Sequence, residues 1–93
     1  EEACDLFHRV GCALMGDELV KHDMPDRGVE VLRGSCDQDE KWGCLYLGEA
    51  LVGGATGSVD LEGARVAFEK TLTLDPDSTR ARTALSRIIE TTE

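Results

Sequence analysis

Two cysteine pairs with identical spacing constrain this chain more than any other feature of its sequence. Seven residues separate Cys4 from Cys12 and Cys36 from Cys44, and the second pair follows the first at an offset of thirty-two residues. An identical spacing used twice indicates a repeated unit. If one helix ends near the first cysteine and the next begins near the second, the Cα atoms can approach to the ~5.5 Å that a disulfide needs. We therefore expect Cys4–Cys12 and Cys36–Cys44 bridges, each contributing about 2.5 kcal/mol to the free energy of unfolding.

The cysteines have two other interpretations. A zinc site could use all four thiols, but structural zinc sites usually contain Cys-x2-4-Cys knuckles, and this sequence has none. The thiols could also be free and buried, because cysteine packs well as a small apolar residue. If the disulfides form, the protein works in an oxidising compartment. That compartment would be extracytoplasmic (periplasm, cell surface or secreted space) or an oxidising organelle such as the mitochondrial intermembrane space.

The apolar residues follow a helical period, and no segment alternates as a strand would. Helices are predicted over residues 11–20, 27–35, 42–52, 61–74 and 78–91. The expected N-caps are Asp26 for the second helix, Asp60 for the fourth, and Asp77 or Ser78 for the fifth. The predicted fold is therefore all-α, with about five short antiparallel helices. Residues 1–4 look like the tail of an earlier helix, so we expect the chain to derive from a longer protein.

One residue pattern occurs twice along these helices. The sequence CALMGDEL at 12–19 corresponds to CLYLGEAL at 44–51, and GVEVLRGS at 28–35 corresponds to ARVAFEKT at 64–71. Gly16 and Gly48 would let a partner helix approach closely, and the bulky Leu32 and Phe68 would fill the space between helices. A helix pair of this kind cannot bury its apolar face alone and needs stacked neighbours.

These positions resemble the tetratricopeptide pattern, through Leu47-Gly48, Ala64-x3-Phe68-x2-Thr71 and Leu74-Asp75-Pro76. The longer loop at 53–59 resembles the Sel-one-like subfamily, and the Cys-x7-Cys pairs are similar to those of bacterial cysteine-rich Sel-one-like proteins, in which such pairs are disulfide-bonded. The resemblance implies one αα-hairpin solenoid domain, a fragment of a right-handed superhelix. Residues 1–10 would end a preceding repeat, 11–41 and 42–76 would form two repeats, and 77–93 would be a C-terminal capping helix with arginines on its exposed face.

The same resemblance implies a peptide-binding groove on the concave face, lined by the first helix of each pair. The residues carried over are Val10, Ala13, Asp17, Val20, Trp42, Leu45, Glu49 and Val52. Trp42 would be an aromatic anchor, or else a half-buried residue that covers the second disulfide. Asp17 and Glu49 would suit a peptide with Lys or Arg, or else belong to a solvated helix face.

Composition narrows the possible functions. Nineteen acids against ten bases give a net charge of -9, which opposes binding to nucleic acids and anionic membranes. The sequence offers no Ser-x-x-Lys, Gly-x-Ser-x-Gly or phosphate-binding loop, so no catalytic, metal or cofactor residue is predicted. His8 and His22 are expected to be solvated loop residues. We therefore expect a non-enzymatic protein–protein interaction scaffold, part of a longer repeat array, with an unidentified protein or peptide partner. The alternatives are a β-lactam or cell-wall-related hydrolase or binding protein, and a thiol- or haem-handling assembly factor.

Overall fold

A computed structural model describes residues 9–22, 24–55 and 57–92, and these residues form five helices. They are α1 (Arg9–Lys21), α2 (Pro25–Asp37), α3 (Lys41–Val52), α4 (Leu61–Leu74) and α5 (Thr79–Thr92). No strand occurs in these residues, in agreement with the predicted all-α class. The predicted end of a preceding repeat covers residues 1–10; residues 1–8 lie outside the described part, and Arg9 and Val10 belong to α1.

The predicted start of α2 is wrong. The N-cap is Met24, whose side chain makes no capping hydrogen bond, and Pro25 occupies the first turn. Asp26 is therefore a first-turn residue and not the cap. Proline favours this position because its fixed φ suits a helix start and the N–H it lacks would have had no partner there. The carboxylate of Asp26 still lies near the positive end of the helix dipole.

The caps of α4 and α5 agree with the sequence. The Asp60 carboxylate accepts a hydrogen bond of 2.9 Å from the Gly63 backbone N–H. The Ser78 hydroxyl accepts one of 3.3 Å from the Ala81 backbone N–H. Ser78, and not Asp77, therefore occupies the capping position of α5. Both side chains satisfy backbone donors that would otherwise lack a partner within the helix.

Glycines bring the paired helices close together, as the sequence predicted. In α1 and α2, a Cβ placed on Gly16 would lie 2.8 Å from the Leu32 side chain, and one on Gly28 would lie 2.6 Å from that of Val20. Later residues of α1 thus meet earlier residues of α2, which makes this pair antiparallel. In the next pair, a Cβ on Gly48 would lie 2.7 Å from the Phe68 ring. Any residue larger than glycine would require these helices to move apart or the facing side chain to shift.

The core lies around α3, which packs against α1, α2 and α4, while α5 packs against α4. Among the residues whose burial is described, the largest fully buried side chains are Phe68, Leu32, Leu51, Thr71 and Cys44. The Thr71 hydroxyl donates a 2.9 Å hydrogen bond to the Ala67 carbonyl, which removes the cost of burying it. Within the described residues, no helix combines the length and apolar character needed to cross a bilayer.

Candidate binding groove

The eight predicted groove residues fall into three groups. Asp17, Val20 and Trp42 are partly exposed, as is Glu49, and Val52 is 38% exposed. These residues leave some surface for a partner. The side chain of Val10 lies outside the part that can be described.

The last group, Ala13 and Leu45, is buried, with exposed fractions of 0% and 2%. Assigning them to an accessible face requires a correction: both are packing residues. The reason is that α1 contacts both α2 and α3, and α3 is in turn contacted by α1, α2 and α4. A helix with two or three neighbours buries more than one of its faces. The tetratricopeptide pattern, from which these positions were carried over, assumes that the groove face of each first helix stays exposed.

A cavity of about 430 Å³ opens between α3, α4 and α5. Its volume is within the range typical of small-molecule and cofactor sites. The polar lining residues are Glu49 of α3 and Thr79, Arg80, Thr83 and Arg87 of α5. The apolar lining residues are Val52, Leu61, Phe68, Ala84 and Ile88. We call this cavity the α3–α5 groove.

An ion pair between Glu49 and Arg80 crosses the α3–α5 groove. Nη2 of Arg80 lies 2.8 Å from Oε1 and 2.6 Å from Oε2 of Glu49, and Nε lies 3.1 Å from Oε2. The guanidinium carbon of Arg80 also lies 5.8 Å from the centroid of the Tyr46 ring, within cation–π distance. Arg80 thereby connects α5 to two residues of α3.

A second cavity, of about 310 Å³, lies between α1 and the end of α3. Asp17, Val20 and Lys21 line it from α1, and Glu49 lines it from α3. Asp17 lies 3.1 Å from the Lys21 ammonium. This hydrogen bond and the charge of Asp17 raise the pKa of Lys21, and the charges of Glu18 and Glu49 add to the effect. Glu49 therefore borders both cavities.

Trp42 lines neither of these cavities. Its ring packs against the hydrophobic core cluster and lies 5.9 Å, centroid to centroid, from the ring of Tyr46. Lys41 lies 5.7 Å from the Trp42 centroid, and its ammonium is 3.2 Å from the Asp75 carboxylate. This placement agrees with the interpretation of Trp42 as a half-buried packing residue.

The structure contains the Cys36–Cys44 disulfide, which joins the last turn of α2 to the first turn of α3. The two Cα atoms are 4.4 Å apart, and the residues are 5% and 0% exposed. This bridge is consistent with the pairing predicted from the sequence. Cys4 lies outside the described residues, so the Cys4–Cys12 bridge stays a prediction.

No metal centre is apparent in the part of the chain that the structure describes. No group of three or more His, Cys, Asp or Glu side chains is arranged there to hold a metal ion. His22 lies at the exposed end of α1, with Nε2 3.0 Å from Oε1 of Glu18. The Ser35 hydroxyl is buried beside Gly43 and has no hydrogen-bond partner. His8 lies outside the described residues.

Sequence reasoning missed the contribution of α5 to the groove. The sequence predicts a capping helix with arginines on its exposed face. Arg80 and Arg87 are exposed, but they also line the cavity together with Thr83 and Ala84. A signal was available in the predicted repeat, because α5 follows α4 as α3 follows α2 and would then stand in the position of another first helix. Treating α5 in that way would have placed part of its surface on the same side as α1 and α3.

Compared with known proteins, the chain has no significant match to a protein-family model, to a curated protein sequence or to a solved structure.

Proposed function

We propose that this protein is a non-enzymatic interaction module that binds a peptide or protein segment in the α3–α5 groove. The observation that carries this proposal is the cavity of about 430 Å³ itself, which has an apolar lining from three helices. Val52 is 38% exposed beside it, so apolar area is available to be buried by a partner. Burial of such area contributes about 25 cal/mol per Å² before the costs of association.

The proposal includes a stacked helix-pair architecture of the Sel-one-like type. Gly16 meets Leu32 in the first pair as Gly48 meets Phe68 in the second, and this equivalence supports a repeated unit. In such an array the first helices of successive pairs share one concave face. Asp17 and Val20 of α1, together with Glu49 of α3, would extend that face beyond the α3–α5 groove.

We further propose that the protein works in an oxidising compartment outside the reducing cytosol. The Cys36–Cys44 disulfide supports this location, because bridges of this kind persist in oxidising surroundings. Its almost complete burial favours a structural role over exchange with other thiols, since exchange requires access to the sulfur atoms.

Peptide selection followed by groove blocking tests the binding proposal. A displayed library of random peptides would be selected on the full chain, and the affinities of the recovered peptides measured by fluorescence anisotropy. Thr83→Trp places a large side chain in the groove from an exposed position and is expected to weaken binding at least tenfold. Thr73→Trp is the matched control, because Thr73 is an exposed threonine of α4 that does not line the groove.

Two results would contradict the proposal. The first is that no peptide is recovered, or that the recovered peptides bind the two tryptophan variants equally well. The second concerns catalysis: incubation with a fluorescent penicillin is expected to leave the protein unlabelled and the penicillin intact. Covalent labelling or turnover would favour the hydrolase alternative and reject the non-enzymatic part of the proposal.

A further inference from the structure

The carboxylate of Glu49 is bound to Arg80 in the way that the carboxylate of a ligand would be. Both carboxylate oxygens of Glu49 accept hydrogen bonds from the guanidinium, with the shortest N–O distance at 2.6 Å. Arg80 is the residue type best suited to hold a carboxylate in this two-oxygen arrangement. In this structure the carboxylate belongs to Glu49 of the same chain, and the pair lies at the edge of the apolar α3–α5 groove.

The pair is open to exchange. The side chains of Arg80 and Glu49 are 57% and 37% exposed, and ion pairs at such positions contribute little because solvent screens them. Arg80 would keep its contact with the Tyr46 ring if Glu49 moved away. Glu49 would remain beside the second cavity, where Lys21 provides another cation.

The charges around the groove favour an acidic partner over a basic one. Two arginines, Arg80 and Arg87, line the α3–α5 groove, against the single carboxylate of Glu49. The rest of the molecule is acidic, with nineteen acids and ten bases in the whole chain. A basic peptide would be attracted to the molecule in general but would meet a groove lined by more positive than negative side chains. A peptide carboxylate would meet opposite charges there.

We propose that the partner of the α3–α5 groove is an apolar segment carrying an acidic side chain, whose carboxylate replaces that of Glu49 on Arg80. Glu49 thus acts as an internal competitor that holds Arg80 in position and lowers the affinity for the partner. This inference rests on the proposed binding function and adds to it the chemistry of the segment and the residue that selects it. It also replaces the expectation of a Lys- or Arg-bearing peptide at Glu49.

The experiment uses the peptides recovered from the library, synthesised with acetylated and amidated ends so that side chains provide the only carboxylates. Each acidic residue is replaced in turn by Gln, and affinities are measured for the full chain and its variants. Glu49→Gln is expected to tighten binding of the acidic peptides about two- to fivefold, which is the range that an exposed ion pair accounts for. It is expected to leave the Gln-substituted peptides unchanged. Arg80→Gln is expected to weaken the acidic peptides about tenfold and to remove their advantage over the Gln versions.

Control variants separate this effect from a general change in charge. Glu69→Gln removes one negative charge from an exposed position on α4 that does not line the groove, and Arg65→Gln removes the cation that pairs with Glu69. Neither is expected to change the affinities. Circular dichroism of each variant checks that the fold is retained.

The outcomes distinguish the two proposals. Recovered peptides that bind through the groove but are enriched in Lys or Arg would overturn the acidic-partner inference and leave the binding function standing. The acidic-partner inference also fails if Glu49→Gln weakens the acidic peptides or if Glu69→Gln tightens them equally. Failure to recover any peptide sensitive to Thr83→Trp would overturn the binding function, and this inference with it.

Discussion

Replacing Gly48 by alanine tests the close approach of α3 and α4. The added Cβ would lie 2.7 Å from two carbons of the Phe68 ring, well inside van der Waals contact, and Phe68 is only 1% exposed. Overpacking of this kind costs about 1–3 kcal/mol. Alanine is also a better helix former than glycine by about 1 kcal/mol, which offsets part of that cost. We expect Gly48→Ala to lower the free energy of unfolding by up to about 2 kcal/mol.

Gly34→Ala provides the matched comparison. Gly34 lies in α2 with no neighbouring atom within 4 Å of an added Cβ, so only the helix preference changes there. This variant should be more stable than the wild type by about 0.5–1 kcal/mol. Urea unfolding followed by circular dichroism would measure both variants. If Gly48→Ala stabilised the protein as much as Gly34→Ala does, the packing of Gly48 against Phe68 would be wrong.

The disulfide, a helix cap and an ion pair give three further predictions. Replacing Cys36 and Cys44 together by alanine should lower the free energy of unfolding by about 2–4 kcal/mol. Equal urea midpoints for the oxidised wild type and the variant would contradict this. Asp60→Ala should cost about 1 kcal/mol through the lost N-cap of α4, and an unchanged midpoint would argue against the cap. Asp17→Asn should lower the pKa of Lys21 from its raised position towards the ordinary 10.5, as NMR titration would show. Because the pKa of Lys21 is raised in the folded state, the pair contributes stability at neutral pH and loses it as the pH rises through that pKa.

Helix positions could be predicted from the sequence where a single signal marks each end. For α4, Asp60 precedes the first apolar turn and Asp75-Pro76 follows the last, and the predicted range 61–74 is the observed one. At the start of α2, two adjacent residues give conflicting signals for the first residue of the helix. Pro25 favours the first turn and Asp26 favours the cap, and local preference alone does not decide between them.

The accessible part of the groove could be predicted only in part. The family resemblance assigns Asp17, Val20 and Glu49 to one groove, and these three residues line one cavity. Spacing along a helix shows which residues share a face. It does not show how many neighbouring helices cover that face. Ala13 and Leu45 are buried because their helices pack on more than one side, and that depends on contacts between residues far apart in sequence.

The role of α5 depends on such long-range contacts as well. Arg80 lies thirty-one residues from Glu49, so no local pattern predicts that its guanidinium reaches back to α3. The same helix contributes Ile88, 4% exposed, to the core cluster and lines the groove from neighbouring turns. A substitution at Ile88 would therefore change stability and binding together, and loss of binding there would say little about recognition. Thr83 is exposed and lines the groove, so a substitution there changes binding without removing a core residue. Thr83 is therefore the more informative position for testing a partner.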